Sequence, residues 1–267
     1  MDGGRGVGVA QKGPSMNGCR AETEQYVMRL AAGGDDVRAA QRLRFAVFNL
    51  EMGEGLPESV ATGLDADEFD AVCDHLLVVE QETGEVVGTY RLQTGAMAAA
   101  FGLGFYGARE FDFGPLEPAR GELLELGRAC VALAHRNQSV LGLLWRGISK
   151  YAAQHRARYL VGCSSLTSQN PAEGLAAFAQ LARTNLVRSS WRTQPLEGWR
   201  CEASPEAVAA FTASGGVKIP RLMLAYLAAG ASICGEPALD PVFKTIDFLT
   251  WMDTQTLPVR VLRKFAG

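Results

Sequence analysis

Residues 121–165 constrain the fold more strongly than any other stretch of the chain. They contain an apolar, β-rich run over residues 123–131 and a second, shorter run over residues 159–163. Asn137 or Ser139 can cap a helix between the two runs by accepting backbone N–H bonds. Apolar residues recur there at helical spacing, namely Leu141, Leu144, Trp145, Ile148 and Ala152. A strand–helix–strand unit of this kind predicts two parallel strands with the helix crossing over them.

The loop before this helix predicts an anion-binding site. The first turn of a helix has free N–H groups, and the helix dipole favours negative charge at that end. A phosphate-bearing carrier is therefore the ligand that we expect at Asn137 and Ser139.

Two charged residues interrupt the first apolar run, and they are candidates for chemistry. Glu125 and Arg128 are three positions apart, so in a regular strand they face opposite sides of the sheet. A β-bulge, which Gly127 would permit, could turn both side chains toward one cleft. The alternative is a salt-bridged pair at the end of a strand.

The rest of the chain alternates strand and helix signals. Strands are expected over residues 25–30, 72–80 and 86–92, and the turn E-T-G-E makes the last two an antiparallel hairpin. Asp35 or Asp36 is expected to cap a helix. Three further helices are expected to begin at Pro171, Pro205 and Pro220.

A long connection over residues 94–120 is rich in glycine and phenylalanine. Leaving so many aromatic side chains exposed is unfavourable, so this segment is expected to pack against or cover something. It could line a tunnel for an acyl chain or form a plain hydrophobic cap, and the sequence does not separate the two.

Composition and charge exclude several classes of protein. With 267 residues, 48% of them hydrophobic and 21% charged, the chain has an ordinary globular composition and can bury one large core with an elaboration. A net charge of −3 without a Lys/Arg block argues against a general nucleic-acid binder. The six cysteines are dispersed and form no C-x-x-C pair, which favours buried thiols in a reducing compartment.

The two ends of the chain are expected to lie outside the folded core. Residues 1–22 are glycine-rich and lack periodicity, so we predict a disordered tail before one domain over residues 23–267. Neither a secretory signal nor a run of about 18 apolar residues is present, which predicts a cytoplasmic protein. Residues 258–267 form a basic amphipathic segment that could touch anionic lipid of the inner membrane or an acidic partner, although solvated surface charge is the preferred interpretation.

Several motifs resemble one enzyme family. The strand E-L-G-R-A-C-V, followed by H-R-N and a helix, resembles the central motif of GNAT-type acyltransferases. More narrowly, it is similar to the ornithine–acyl-carrier-protein N-acyltransferases, a group often labelled hemolysin-like, over roughly residues 24–266. The acyl-homoserine-lactone synthases are more distant relatives. Arg44 matches the arginine of an R-x-x-V-F motif, and other positions match family motifs, namely Asp74, His75, Arg91, Glu236, Asp240 and Asp247.

The resemblance implies both a fold and an activity. The fold is α/β of GNAT type, a mixed twisted sheet with helices on both faces and a C-terminal elaboration. The activity is transfer of a 3-hydroxyacyl chain from acyl carrier protein to the α-amino group of ornithine, which gives lyso-ornithine lipid. The acyl-phosphopantetheine thioester is then a co-substrate, and neither a metal nor a tightly bound cofactor is expected.

Thioester aminolysis needs a proton acceptor and an oxyanion donor. Glu125 is the candidate proton acceptor, and a backbone N–H near residues 130–132 is the candidate oxyanion donor. Arg128 would hold an acidic group of either substrate or fix Glu125. No covalent acyl-enzyme is required, so no cysteine is nominated as a nucleophile.

The loop before the central helix bears on the identity of the acyl donor. Coenzyme A users of the GNAT type typically have glycines where this chain has Ser139 and Leu141. Side chains at those positions would crowd a pyrophosphate, whereas acyl carrier protein presents a single phosphodiester. This favours acyl carrier protein as the donor, with Arg136 near its phosphate. Asn137, Ser139 and, by resemblance, Arg44 complete the predicted donor site.

The acceptor site is predicted from the resemblance and from charge. Clustered carboxylates suit a cationic amino acid, so the acceptor is expected near six residues, namely Asp74, His75, Arg91, Glu236, Asp240 and Asp247. Ornithine follows from the resemblance, and another amino acid such as glycine or an aromatic acceptor stays open. So do two different functions, a homoserine-lactone-type synthase and a non-catalytic protein that binds acyl chains or the acyl carrier.

Overall fold

A mixed β-sheet organises the chain, and the computed structural model describes residues 19–257 of it. The sheet has nine strands in the order β1-β2-β3-β4-β5-β6-β9-β7, with β8 also paired to β9. Within these residues, β5 and β6 are parallel and every other pair of neighbours is antiparallel. The strands are β1 Ala21–Glu22, β2 Tyr26–Leu30, β3 Asp74–Glu80, β4 Val86–Thr94, β5 Leu123–Val131, β6 Tyr159–Leu166, β7 Ser232–Ile233, β8 Ala238–Asp240 and β9 Thr245–Asp253.

Helices cover both faces of this sheet, which confirms the predicted α/β architecture. On one face, α4 packs its buried stripe of Val140, Leu144 and Ile148 against β3 and β4. On the opposite face, Ala40 of α1 packs against Leu77 and other residues of β3. The helices are α1 Gly34–Arg44, α2 Ser59–Thr62, α3 Gly95–Ala100, α4 Gln138–Gln154, α5 Pro171–Asn185, α6 Pro205–Ala213 and α7 Arg221–Ala229, with a π-helical continuation of α1 over Phe45–Met52.

A bulge in β5 distorts the sheet at the predicted place. Arg91 faces Gly127 and Thr89 faces Cys130, so two residues of β5, Arg128 and Ala129, lie opposite a single residue of β4. Arg128 takes up the extra length with a φ of +49°, in the left-handed region. The bulge is confirmed, but the left-handed residue is the arginine and not Gly127, which was expected to permit it.

Next to this bulge, β5 and β6 separate. The parallel pairing covers only the first three residues of each strand, ending at Glu125 opposite Val161. One step further, the strands are still close, because a Cβ on Gly162 would lie 2.3 Å from the carbonyl oxygen of Leu126. Glycine is therefore required at position 162, and beyond it the two strands diverge and leave a slot in the sheet.

The aromatic connection over residues 94–120 forms a hydrophobic cap. Phe105, Phe111 and Phe113 are buried against Leu123 of β5 and Leu249 of β9. The cap lies on the α1 side of the sheet, beside the slot. This packing agrees with the hydrophobic cap, and a role of the segment in lining an acyl-chain tunnel stays a prediction.

Three local predictions were wrong. The predicted tail extended to residue 22, but β1 pairs with β2, and the thiol of Cys19 is buried and donates to the Gly147 carbonyl at 3.5 Å. Neither Asp35 nor Asp36 caps α1, because its N-cap is Gly33. Leu141 is 36% exposed, since the buried stripe of α4 runs through Val140 instead.

Two other predictions, for residues 1–18 and for residues 258–267, lie outside the described residues. Over residues 19–257, none of the helices combines the length and the apolar character that a bilayer span requires.

Candidate active site

The slot between β5 and β6 is the opening around which the predicted functional residues gather. Consecutive residues of both strands line it, and since neighbours on a strand face opposite sides, the slot passes through the sheet. Tyr90, Trp145 and Tyr226 close it on the α4 side, and Trp251 of β9 closes it on the other. The residues of β5 and β6 that line it are Leu126, Gly127, Arg128, Ala129, Leu160, Val161, Gly162, Cys163 and Ser164.

Glu125 lies at the inner end of the slot, where it holds the hydrophobic cap in place. Its two carboxylate oxygens accept the backbone N–H groups of Tyr106 and Gly107, each at 2.7 Å. Burial raises the pKa of Glu125, and these two hydrogen bonds oppose the rise. The structure therefore shows Glu125 anchoring a loop, and its role as the proton acceptor stays a prediction.

Beside Glu125, a buried ionic network joins β4, the bulge and the loop before β3. It contains three arginines and three aspartates, namely Arg44, Arg91, Arg128, Asp65, Asp67 and Asp70. Formal charges in the network therefore balance. Burial alone would raise the pKa of Asp70, but hydrogen bonds and charge from Arg44, with the charge of Arg91, hold it well below its usual range.

Arg44 is the most enclosed member of the network, with 0% of its surface exposed. Its guanidinium donates to Asp65 at 2.9 Å, to the two oxygens of Asp70 at 3.0 and 2.6 Å, and to the backbone carbonyl of Asp65. The predicted role of Arg44 in binding the acyl donor stays a prediction, and the contacts that the structure shows are structural. A guanidinium with no exposed surface and two carboxylate partners stabilises the fold here.

Two more of the predicted acceptor residues belong to this network. Arg91 donates to Asp67 at 2.5 Å and to Asp70 at 3.1 Å. His75 donates from Nε2 to the backbone carbonyl of Asp70 at 3.1 Å, and burial lowers the pKa of this imidazole. Both residues support the wall of the site from inside the protein.

Asp74 lies on the other face of the sheet. Its carboxylate accepts a hydrogen bond from the Tyr151 hydroxyl of α4 at 2.7 Å. Since His75 follows it directly on β3, the two side chains must point in opposite directions. The structure therefore does not bring Asp74 and His75 together, and a role for Asp74 in lining the acceptor site stays a prediction.

Arg128 is the member of the network that faces the slot. Its ion pairs with Asp65 and Asp67 are long, 3.4 Å each, and its Nε makes no hydrogen bond with the described residues. The guanidinium stacks over the ring of Phe243 at 4.2 Å. The predicted alternative in which Arg128 fixes Glu125 is not what the structure shows, and its loose pairing leaves it able to receive an anion.

A second group of carboxyls lies across the cap from the network. One oxygen of Glu110, one oxygen of Asp247 and the Sγ of Cys163 lie within 4.8 Å of one another. Burial raises the pKa of both carboxyls, that of Asp247 to about 6, and nearby Asp240 adds to the rise. Asp240 itself accepts the backbone N–H groups of Val242 and Phe243 at 2.7 and 3.0 Å.

Glu236 lies apart from this group of carboxyls. It is exposed in the loop between β7 and β8, while Asp240 and Asp247 are buried. The loop and strand positions agree with the sequence prediction, but no described contact ties Glu236 to the slot. A role for Glu236 in acceptor binding stays a prediction.

The predicted donor site is at the start of α4. Asn137 caps the helix, because its side-chain oxygen accepts the N–H of Val140 at 3.0 Å, while Ser139 is exposed in the first turn. Arg136 forms a bidentate pair with Glu51 at 2.6 and 2.7 Å and is 40% exposed. Arg136, Asn137 and Ser139 therefore share one accessible surface, as expected.

Sequence reasoning missed the aspartates of the network and the pairing of Glu110 with Asp247. The aspartates come from an acidic loop without periodicity. Glu110 and Tyr106 were visible in a G-F-Y-x-x-x-E-F-D segment, but this segment was interpreted only through its aromatic residues.

The splayed strands, the bulge and the capped helix are the parts of a GNAT-type acyltransferase, and comparison agrees. Residues 43–146 match the family described as the acetyltransferase (GNAT) domain. Among solved structures, the AHL synthase LasI aligns with a TM-score of 0.49 and 12% identity, over 86% of this chain and 90% of that one. FeeM, an N-acyl amino acid synthase from uncultured soil microbes, aligns with a TM-score of 0.47 and 13% identity, over 88% and 93%. Residues 43–146 therefore form the GNAT-type part of the chain.

Curated relatives define the family more narrowly. An L-ornithine N(alpha)-acyltransferase of Agrobacterium fabrum is 32% identical over 249 residues, which cover 90% of this chain and 84% of the relative. One of Brucella abortus is 34% identical over 255 residues, which cover 90% and 88%. This chain belongs to the L-ornithine N(alpha)-acyltransferase family.

Proposed function

We propose that this enzyme transfers a 3-hydroxyacyl chain from acyl carrier protein to the α-amino group of L-ornithine, giving lyso-ornithine lipid. One observation carries the proposal: four relatives, 32–34% identical and aligned over 87–90% of this chain, are named L-ornithine N(alpha)-acyltransferase. The site offers groups suited to each part of the reaction.

The acyl donor would lie in the slot, with its phosphate at the start of α4. The ladder between β5 and β6 ends at Glu125, so backbone groups beyond it are available to an extended pantetheine arm. Arg136 would exchange Glu51 for the phosphate, and the helix N-terminus would add a favourable dipole. A serine at position 139 suits the single phosphodiester of a carrier protein better than a pyrophosphate.

The oxyanion donor would come from the bulge. Ala132 is excluded, because its N–H already donates to the carbonyl of Val87 at 2.9 Å. The extra residue of a bulge is left out of the ladder, so a backbone N–H near Arg128 and Ala129 is free to receive the thioester oxygen as it gains charge. This moves the donor by a few residues from the predicted range of 130–132.

The acceptor would lie on the cap side of the slot. The ion pairs of Arg128 with Asp65 and Asp67 are long, and its Nε makes no hydrogen bond with the described residues, so Arg128 is suited to hold the carboxylate of the amino acid. Glu125 lies on the same face and would take the amine proton, directly or through a water molecule. Burial, which raises the pKa of Glu125, favours this role, and the two backbone hydrogen bonds oppose it.

A reducing compartment suits the chain as well. All six cysteines are free, and carrier-protein thioesters are intracellular co-substrates. We therefore place the reaction in the cytoplasm, with any membrane contact peripheral.

The test compares donors and the loop that would bind them. We expect a higher kcat/KM for 3-hydroxyacyl carrier protein than for the matching coenzyme A thioester, with N-acyl-ornithine identified by mass spectrometry. Arg136→Ala should raise the KM for the carrier-protein donor about tenfold, the size of one charge-assisted contact, while the KM for ornithine stays unchanged. Arg38→Ala, which removes an exposed arginine paired with Asp35, is the matched control. A preference for coenzyme A thioester would contradict the donor assignment.

A further inference from the structure

The Glu110–Asp247 pair is an unusual feature, because two carboxyl groups share a buried site. Glu110 is 2% exposed and Asp247 is 5% exposed. One carboxyl oxygen of Glu110 lies within 4.8 Å of one carboxyl oxygen of Asp247, and the charge of Asp247 raises the pKa of Glu110. One carboxyl comes from the end of the turn after Tyr106 and the other from β9.

No described cation balances this pair. The charges that act most strongly on Glu110 are those of Asp247, Asp240 and Glu125, and all three are negative. Glu110 Oε2 and Asp247 Oδ1 are buried and lack a hydrogen-bond partner among the described residues. The balanced network around Arg44 shows that this protein neutralises buried carboxylates elsewhere. An unbalanced group with unpartnered oxygens is a site for a cation from outside the chain.

The position of the pair suits one end of an amino acid. The Sγ of Cys163 lies within 4.8 Å of a carboxyl oxygen of each residue, and Cys163 also lines the slot, so the pair lies next to the slot behind this thiol. Burial raises the pKa of Tyr106; the charge of Arg128 opposes that rise and the charge of Glu110 adds to it, so its phenol lies within electrostatic reach of both. An amino acid lying beside Tyr106 would be close to the guanidinium of Arg128, 5.4 Å from the ring, and within electrostatic reach of the carboxyl pair.

We propose that the Glu110–Asp247 pair binds the side-chain ammonium of the acceptor, while the α-amine meets the thioester at the bulge. The pair would then select amino acids that carry a second amine. This assignment rests on the proposed function, since it requires that the enzyme acylates an amino acid.

Binding would also move a proton. Burial raises the pKa of both carboxyls, and the charge of Asp240 adds to both rises. Asp247 raises the pKa of Glu110 further, whereas hydrogen bonds with Ser165, Thr245 and Glu110 oppose the rise at Asp247. An incoming ammonium favours the ionised form of the pair. The titratable groups that face the pair are Asp240 at the end of β8, Glu125 on β5 and the thiol of Cys163, and none of them supplies positive charge. The neutral hydroxyls of Ser165 and Thr245 hydrogen-bond to Asp247. The KM for a diamino acid should therefore fall as pH rises through about 6, where Asp247 titrates.

The experiment compares ornithine with norvaline, which has the same carbon chain and no side-chain amine. For the wild-type enzyme, kcat/KM should favour ornithine strongly. Asp247→Asn and Glu110→Gln should each raise the KM for ornithine about 10- to 100-fold, the range for a hydrogen bond to a charged group, and should leave norvaline almost unchanged. Glu202→Gln, which removes an exposed carboxylate outside the site, is the control. Calorimetry in two buffers of different ionisation enthalpy should show protons released on ornithine binding and fewer in Asp247→Asn.

The outcomes separate this inference from the proposed function. If the wild-type enzyme acylates ornithine and norvaline equally well, or if the variants lower kcat for both equally, the pair does not recognise the side chain and the inference fails alone. If the wild-type enzyme acylates no amino acid, the proposed function fails first. One equivalent of a divalent metal that is lost in Asp247→Asn would overturn the ammonium assignment. The variants should melt no lower than wild type, because each removes an unbalanced buried carboxyl.

Discussion

Replacing Arg44 tests whether the buried ionic network supports the fold or binds the acyl donor. The side chain has no exposed surface and donates to two carboxylates and one carbonyl. Arg44→Met leaves one negative charge of the network uncompensated. Removing one partner of a buried pair typically costs about 3–5 kcal/mol, a large part of the ~5–15 kcal/mol that stabilises a domain.

Two matched variants sharpen this test. Arg44→Lys keeps the charge but loses the planar fork, so we expect a smaller loss of about 1–3 kcal/mol. Arg44→Met combined with Asp70→Asn restores charge balance and should lose less than the sum of the two single changes. Arg136→Ala removes a partly exposed arginine and should cost at most about 1 kcal/mol.

The assay is urea unfolding followed by circular dichroism at pH 7, with donor KM measured on folded protein. We expect Arg44→Lys to lower the free energy of unfolding and to leave the donor KM near the wild-type value. An unchanged unfolding energy together with a donor KM raised tenfold would refute the structural assignment. It would restore Arg44 to the donor site that the sequence motif predicted.

Three other predictions address the slot and the carboxyls around it. Glu125→Gln should lower kcat about 100-fold or more if the carboxylate accepts the amine proton. It should also cost about 1.5–3 kcal/mol of stability, because an amide cannot accept hydrogen bonds from both N–H groups. A loss of stability with kcat unchanged on folded enzyme would limit Glu125 to anchoring the loop. Gly162→Ala should destabilise the protein by about 1–3 kcal/mol and impair donor binding, since the new Cβ would lie 2.3 Å from the Leu126 carbonyl oxygen. Gly121→Ala is the control, because a Cβ at this position has no atom within 4 Å, and this variant should behave like wild type in urea unfolding. Stability should fall as pH drops below about 4, because the pKa values of Asp67 and Asp70 are lower in the folded protein than in the unfolded chain. Thermal unfolding between pH 3 and pH 7 measures this effect. A melting temperature independent of pH would contradict the stabilising role of the ionic network.

Local patterns in the sequence specified much of the fold. The strand over residues 123–131 has the predicted bounds, since the apolar, β-rich run covers the same residues. Asn137 caps α4, Ser204 caps α6 and Gly230 ends α7, as the capping preferences of these residues indicate. Such features depend on a few neighbouring residues, so they can be predicted from a single sequence.

Pairings between distant segments were not predictable in this way. Arg44 matched a motif, but its partners Asp65 and Asp70 come from an irregular segment. This segment has no helical or strand periodicity from which the direction of their side chains could be predicted. Position on a strand could have separated Asp74 from His75, because neighbours face opposite sides. The pairing of Glu110 with Asp247 depends on how the cap folds over β9, and no local pattern encodes that contact.

The most direct test of the proposed reaction is one competition experiment. Purified enzyme is incubated with 3-hydroxyacyl carrier protein and an equimolar mixture of ornithine, lysine, norvaline, glycine and aromatic amino acids, and the products are identified by mass spectrometry. We expect N-acyl-ornithine as the main product, with the acyl group on the α-amine. A main product formed on glycine, norvaline or an aromatic amino acid would contradict the assigned acceptor, and no product from any amine would contradict the reaction itself.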